Sequence, residues 1–227
     1  MSLNDPFKDF RGTVRLFPLP NLVLFPSVIQ PLHIFEPRYR QMTEAALAGD
    51  AVIGMVLLRP DADAMAARAP IFEIGCAGRI VEHRKLDDGR FHFLLYGERR
   101  FRIERELESR ALYREVEVAL LPDPAFSSLA PSVQRALDAI RVQLEARMLE
   151  LVRLSVPESV EPLRERMRAL DPLLLTSAIA FGLDGPTLEK QSLLESADAL
   201  ARAELLLRVL EFRIAEARLP DGPKTLN

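Results

Sequence analysis

Tryptophan is absent from this 227-residue chain, and Cys76 is the only cysteine. A single cysteine cannot close a disulfide within the chain, which excludes a disulfide-stapled scaffold. No uncharged run approaches the roughly 18 residues that a membrane-spanning helix needs. The N-terminus lacks the basic region and the apolar stretch of a signal peptide. These absences predict a soluble, cytoplasmic protein with no membrane partner.

A large excess of positive or negative charge is also lacking, since the net charge is only −3. A nucleic-acid binder normally carries a basic excess or a strongly basic face. One run of six arginines is the best case for an RNA partner, but five glutamates interleave with it and cancel much of its field. The run therefore predicts a solvated strand face. The arginines are Arg99, Arg100, Arg102, Arg105, Arg110 and Arg114, and the glutamates are Glu98, Glu104, Glu106, Glu108 and Glu115.

The chain changes character at 121–131, where three prolines interrupt helix and strand alike. Residues 1–122 alternate apolar and polar side chains as half-buried strands do, and Asp88-Gly89 predicts a tight hairpin. One helix interrupts them, between Pro37 and Gly49. Residues 123–227 show helical periodicity and predict a bundle ending in a long helix over about 186–218. Strands followed by helices indicate an α+β fold.

Motifs for catalysis or metal binding are not found in the sequence. The tail Gly222–Thr225 echoes a Walker A ending, but the first glycine, the preceding strand and the following helix are missing. Of the histidines His33, His83 and His92, the last two lie on opposite arms of the Asp88-Gly89 hairpin, but two histidines with no third ligand in view make a weak metal site. Cys76 lies in an apolar strand, which predicts a buried, unreactive thiol. We therefore expect no catalytic residues, no cofactor and no metal.

The most specific pattern in the sequence is a Leu-Pro…Leu-Phe-Pro segment at Leu19–Pro26, followed by Pro-Leu…Ile-Phe-Glu…Arg-Tyr within Gln30–Met42. Together with three later segments, in order along the chain, it resembles the N-terminal substrate-binding domain of Lon proteases. Ser27 and Cys76 depart from that family, which usually has glycine and threonine there. The matching segments are Leu19–Pro26, Gln30–Met42, Ile74–Ala77, Gly97–Ile103 and Lys190–Glu195.

The resemblance implies a β-rich, PUA-like pseudo-barrel, a helical bundle after it, and recognition of unfolded or tagged polypeptides. An apolar patch near the first motif would make the contact, with Glu36 and Arg38 clamping the peptide backbone. For each apolar residue a place in the core is the alternative, and for Glu36 and Arg38 a local ion pair at a helix start. The candidate peptide-binding residues are Phe25, Pro26, Ile34, Phe35, Glu36, Arg38, Tyr39 and Met42.

The sequence thus predicts a non-catalytic polypeptide-binding module, because the ATPase and Ser/Lys peptidase parts of a Lon protease are not seen in it. A protease or chaperone is the expected larger partner. Two alternatives stay open: an accessory subunit of an ATP-dependent protease that needs a partner for hydrolysis, and an RNA-binding PUA-like module. The oligomeric state is not indicated.

Overall fold

The computed structural model describes residues 7, 10, 12–60, 62, 66 and 68–219. The chain divides into two compact units, one of Met1–Pro122 with Gly185–Leu194 and one of Asp123–Asp184 with Glu195–Asn227. The first unit contains the strands β1 (Thr13–Leu19), β2 (Ile29–Ile34), β3 (Val52–Leu57), β4 (Ile74–Lys85), β5 (Phe91–Glu106) and β6 (Arg114–Leu120), with helices α1 (Pro37–Leu47) and α5 (Thr187–Leu194). The second contains α2 (Pro131–Ser155), α3 (Val160–Arg168), α4 (Pro172–Gly182) and α6 (Ala199–Ala217). The expected α+β fold, with strands first and helices after, is confirmed.

The strands of the first unit close on themselves. Their order is β2-β5-β4-β3-β1-β6, and β6 also pairs with β5. Closure is possible because β5 is 16 residues long. Its first part pairs with β2 through Phe91–Tyr96, and its last part pairs with β6 through Phe101–Glu106. The ring β5-β4-β3-β1-β6, with β2 added along β5, is the pseudo-barrel that the family resemblance implied.

The interior of this ring is apolar and closely packed. Phe101 is fully buried, and Val14, Leu16 and Val116 belong to the same cluster. Room for the Phe101 ring comes from Gly75, where a Cβ would lie 2.7 Å from the ring and 2.3 Å from the Met55 carbonyl oxygen. The β4 strand therefore requires glycine at the position where the sequence motif has it.

Local signals in the first unit predict its turns correctly. Gly89 adopts φ +80° in the β4–β5 hairpin, and Asp88 Oδ1 accepts a hydrogen bond from the Arg90 N–H at 3.1 Å. Pro37 opens α1, which buries Tyr39 and Met42. Both features follow from backbone preferences of single residues, since glycine permits positive φ and proline suits the first helical turn.

The predicted long helix over about 186–218 is wrong, because two helices occupy that span. α5 ends at Leu194, and α6 begins at Ala199. The Asp198 side chain accepts a hydrogen bond from the Ala201 N–H at 2.8 Å and so caps a new helix start. Among the described parts of the chain, α5 also belongs to the β-rich unit rather than to the bundle.

Two buried polar side chains hold α5 within the first unit. Arg100, on β5, donates from Nη1 to the Leu194 carbonyl oxygen at 2.8 Å. Gln191 donates from Nε2 to the Ile74 carbonyl oxygen at 3.0 Å. Leu193 is buried beside them. The Arg100 guanidinium thus satisfies a carbonyl at the C-terminal end of α5, where a positive charge is favoured.

Candidate functional site

Most of the apolar residues predicted to bind peptide are part of the core. Phe25, Ile34, Tyr39 and Met42 are each at most 4% exposed. Pro26 is buried as well. For these five side chains the structure therefore shows the core role that the sequence had left as the alternative. Phe35 differs, because it is 60% exposed.

The two charged candidates form a local ion pair at the start of α1. Arg38 donates from Nε to Glu36 Oε2 at 2.9 Å. The Arg38 guanidinium also lies over the Tyr39 ring, 4.5 Å from its centre. Both charged side chains remain partly exposed. The ion pair expected as the alternative is present, and clamping of a peptide by Glu36 and Arg38 stays a prediction.

Tyr39 lies beneath that pair in an apolar setting. Its ring is 4.5 Å from the Phe17 ring, and its hydroxyl donates to the Pro18 carbonyl oxygen at 3.4 Å. Burial raises the pKa of Tyr39 from 10.0 to about 12, since a buried phenolate would lose its hydration. The neutral side chain therefore packs α1 against β1.

We expect alkaline pH to destabilise the fold through Tyr39. Its pKa is raised on folding, so its contribution is complete below pH 10 and is lost as the pH rises towards 12. The two-unit difference corresponds to about 2–3 kcal/mol in the free energy of unfolding. Absorbance of tyrosinate during a pH titration, combined with urea unfolding, measures both effects. A Tyr39→Phe variant should lose the late-titrating component, whereas Tyr113→Phe should keep it.

The outer face of strands β2, β5 and β4 forms the candidate site. The strand register places His33 opposite His92, and His92 opposite Arg84. The next row places Pro31 opposite Leu94, which lies opposite Glu82. A groove of about 520 Å³ opens over these two rows. Its lining is apolar at Pro31 and Leu94, and Glu82, Arg84 and the three histidines add charged and imidazole groups.

Exposed apolar side chains also lie on β2 and β4, or directly after β2, close in sequence to the residues that line the groove. Phe35 follows β2 directly, and its ring lies 5.8 Å from that of His33. Ile29 is 51% exposed and Val81 is 47% exposed. Val81 stands at an irregularity of the register between Ile80 and Glu82, where β4 carries an extra residue. We call Ile29, Phe35 and Val81 the apolar rim of the groove.

β2 is also a sheet edge. It stands first in the strand order and, in the part of the chain that the structure describes, pairs only with β5. The unpaired groups of an edge strand can receive an extended peptide as a further strand. The groove therefore combines apolar side chains with the open edge of a strand. An unfolded polypeptide can contact the first with its apolar side chains and the second with its backbone.

Three arginines of the run that raised the RNA alternative are paired with carboxylates or buried. Arg105 donates to Glu117, and Arg114 donates from Nη2 to Glu106 Oε2 at 2.8 Å. Arg100 is 1% exposed and bonds to α5. The described residues contain no group of three or more His, Cys, Asp or Glu side chains placed to hold a metal ion. Cys76 is fully buried.

A family model described as the ATP-dependent protease La (LON) substrate-binding domain matches residues 13–211. The chain belongs to this family. Its relatives include Lon protease 2 of Syntrophobacter fumaroxidans, 26% identical over 94% of this chain, and Lon protease 2 of Myxococcus xanthus, 28% identical over 89%. The chain spans about a quarter of the length of these relatives, 26% and 24% respectively.

Solved Lon N-terminal domains share the fold. The N-terminal domain of the Mycobacterium avium complex Lon protease superposes with a TM-score of 0.66 at 18% identity, covering 89% of this chain and 98% of that one. A Lon N-terminal domain protein from Xanthomonas campestris gives 0.59 at 23% identity, covering 86% and 97%. Within the described residues, no helix has the length and apolar character needed to cross a bilayer.

The structure explains why the Lon family motifs lie where they do. The Leu-Phe-Pro segment crosses β5 at Gly97, whose N–H and carbonyl bond to Val28 and Ser27 at 2.8 and 2.7 Å. Ser27 adopts φ 65°, a conformation that favours the glycine usual in the family. The Lys-Gln…Leu-Leu-Glu stretch is α5, with Gln191 bonded to β4. These motifs therefore specify the fold.

Proposed function

We propose that this chain binds segments of unfolded or tagged polypeptide in the groove over β2, β5 and β4, without cutting them. Membership in the Lon substrate-binding domain family supports a role in substrate recognition. The observation that carries the proposal is the apolar rim of Ile29, Phe35 and Val81, large side chains left in water on or next to the strands that line a concave surface. Exposed apolar groups gathered around a groove are typical of an interaction site.

Two kinds of contact would share the binding energy. Apolar side chains of the client would cover the rim, and burial of apolar surface contributes about 25 cal/mol for each Å². The client backbone would pair along the open edge of β2. Because main-chain pairing is common to all sequences, specificity would come from the side chains that fit against Pro31 and Leu94.

A larger assembly would supply any hydrolysis. The family match is to a substrate-binding domain, so we infer that the chain hands bound clients to a protease or chaperone. Incubation of the pure chain with casein, with and without ATP, tests this division of work. We expect no cleavage under either condition, and cleavage that survives removal of contaminating proteases would make the chain a peptidase subunit.

The test of the groove uses Phe35→Ser. We expect this variant to bind a fluorescently labelled, apolar, unfolded peptide about tenfold more weakly, because an aromatic anchor of this size contributes roughly 1–2 kcal/mol on burial. Fluorescence anisotropy without nucleotide measures the dissociation constant. Leu112→Ser is the matched control, since Leu112 is 62% exposed in the same unit but lies outside the groove.

Equal weakening by Phe35→Ser and Leu112→Ser would show nonspecific adhesion and overturn the assignment of the groove. Absence of saturable binding by the wild-type chain to a panel of unfolded proteins would overturn the function itself. A salt-dependent shift of labelled RNA that is stronger than peptide binding would favour the RNA alternative.

A further inference from the structure

A second cavity, in the helical unit, is lined mainly by arginine. It has a volume of about 490 Å³ and lies between α2, α3 and the end of α6. Arg147 and Arg153 lie on α2 and Arg164 on α3. Arg218 directly follows α6. Glu150 is the one carboxylate in its lining. We call this cavity the arginine cleft.

The carboxylate in the cleft is already shared. Arg147 Nη1 lies 3.0 Å from Glu150 Oε2, and Arg218 contacts the other oxygen of the same group. One negative charge thus serves two guanidinium groups. Arg147 also lies 3.9 Å from Glu211, and Arg164 lies 3.5 Å from Glu161, so Arg153 supplies the positive charge of the cleft that has no carboxylate of the described residues beside it.

Arg153 and Arg164 are the arginines of the cleft with donors left over. Arg153 is exposed and has no ion-pair partner among the residues that the structure describes. Arg164 Nε is buried and makes no hydrogen bond there, with Glu161 Oε2 at 3.5 Å as its nearest ionic partner. Guanidinium groups bind carboxylates through paired, directed N–H bonds. Their placement in a concave site leaves donors available to an anionic ligand.

Apolar groups lie next to these donors. Leu154 is 47% exposed, and it lines the cleft together with Leu149. A phosphate group or a nucleic-acid backbone has no apolar part to cover a leucine. A peptide in which acidic and aliphatic side chains alternate matches both features, since its carboxylates meet the arginines and its aliphatic groups meet the leucines.

We propose that the arginine cleft binds acidic peptide segments that also carry aliphatic side chains. This site is separate from the groove of the β-rich unit, and its occupant is defined by charge as well as by apolar surface. A client with an acidic segment would therefore gain a contact that a neutral client lacks.

Binding of two labelled ten-residue peptides to the full chain tests this proposal. One peptide alternates glutamate with leucine, and the other replaces each glutamate with glutamine. We expect the acidic peptide to bind at least tenfold more tightly by anisotropy, and the difference to shrink as salt is raised. The double variant Arg153→Gln, Arg164→Gln should weaken acidic binding about tenfold or more.

Two controls make the result specific. Arg208→Gln removes an exposed arginine of α6 outside the cleft and should leave acidic binding unchanged. Phe35→Ser should also leave it unchanged, so failure of the groove proposal and failure of this one are distinguishable. Thermal unfolding by circular dichroism confirms that the variants fold, and Arg153→Gln alone serves if the double variant does not.

Three outcomes would overturn the proposal. The first is equal binding of the acidic and amide peptides. The second is an equal loss with Arg208→Gln, which would indicate a diffuse charge effect. The third is tighter binding of a single-stranded oligonucleotide through Arg153 and Arg164, which would assign the cleft to nucleic acid.

Discussion

Replacing Gly97 by alanine is expected to lower the free energy of unfolding of the β-rich unit by about 3 kcal/mol or more. An added Cβ would lie 2.1 Å from the Phe25 carbonyl oxygen and 3.3 Å from Leu24 Cγ. The first contact is with backbone, which cannot rotate away. The loop from Phe25 to Val28 would have to leave β5, and its two hydrogen bonds to Gly97 would weaken.

Tyrosine fluorescence during urea unfolding measures this loss. The chain has no tryptophan, and its three tyrosines all lie in the β-rich unit, so the signal reports on that unit. Gly49→Ala is the matched control in the same unit, because the atom nearest to its added Cβ, Arg15 Nη2, would lie 3.4 Å away, an ordinary contact. That variant should be neutral or more stable by up to about 1 kcal/mol. A Gly97→Ala variant as stable as wild type would contradict the close approach of the loop to β5.

Replacing Arg100 by methionine is expected to cost about 2–3 kcal/mol and to loosen α5. Methionine fills a similar space but cannot donate to the Leu194 carbonyl oxygen. The carbonyl would then lose the charged donor that satisfies it at the C-terminal end of the helix. The hydrogen bond from Gln191 to the Ile74 carbonyl oxygen of β4 would remain.

Hydrogen exchange of the α5 amides separates this local effect from general destabilisation. We expect faster exchange in α5 for Arg100→Met, with β1 and β3 changed little. Arg105→Met is the control on the same strand, because Arg105 is 65% exposed and pairs with Glu117 at the surface. Exposed ion pairs contribute little. Equal protection of α5 in wild type and Arg100→Met would show that the Arg100 bond does not hold this helix.

The sequence predicted those turns and helix starts that depend on the backbone preference of one or two neighbouring residues. Asp88-Gly89 specifies its hairpin, and Pro37 specifies the start of α1, because backbone preference decides both. The break after Leu194 escaped prediction because apolar periodicity continues on both sides of it. Asp198 gave a capping signal, but the membership of α5 in the β-rich unit depends on Arg100, which lies 94 residues away from Leu194.

The candidate site could be predicted only in part. Phe35 and Ile34 are neighbours of similar character, and only the pairing of β2 decides that one faces water and the other the core. Phe25 lies in the loop between β1 and β2, and only the approach of that loop to Gly97 of β5 explains its burial. Val81 reaches the groove rim through a register irregularity in β4, for which the sequence carries no signal.

The position of α5 bears on how this chain folds as it is synthesised. Gly185–Leu194 completes the β-rich unit, although the helical segment Asp123–Asp184 separates it along the chain from the strands. When synthesis has passed residue 122, every strand that the structure describes is present, but α5 with its buried Leu193 and Leu194 is not. The helices of the second unit leave the ribosome before the last helix of the β-rich unit does, so the two units fold during overlapping periods.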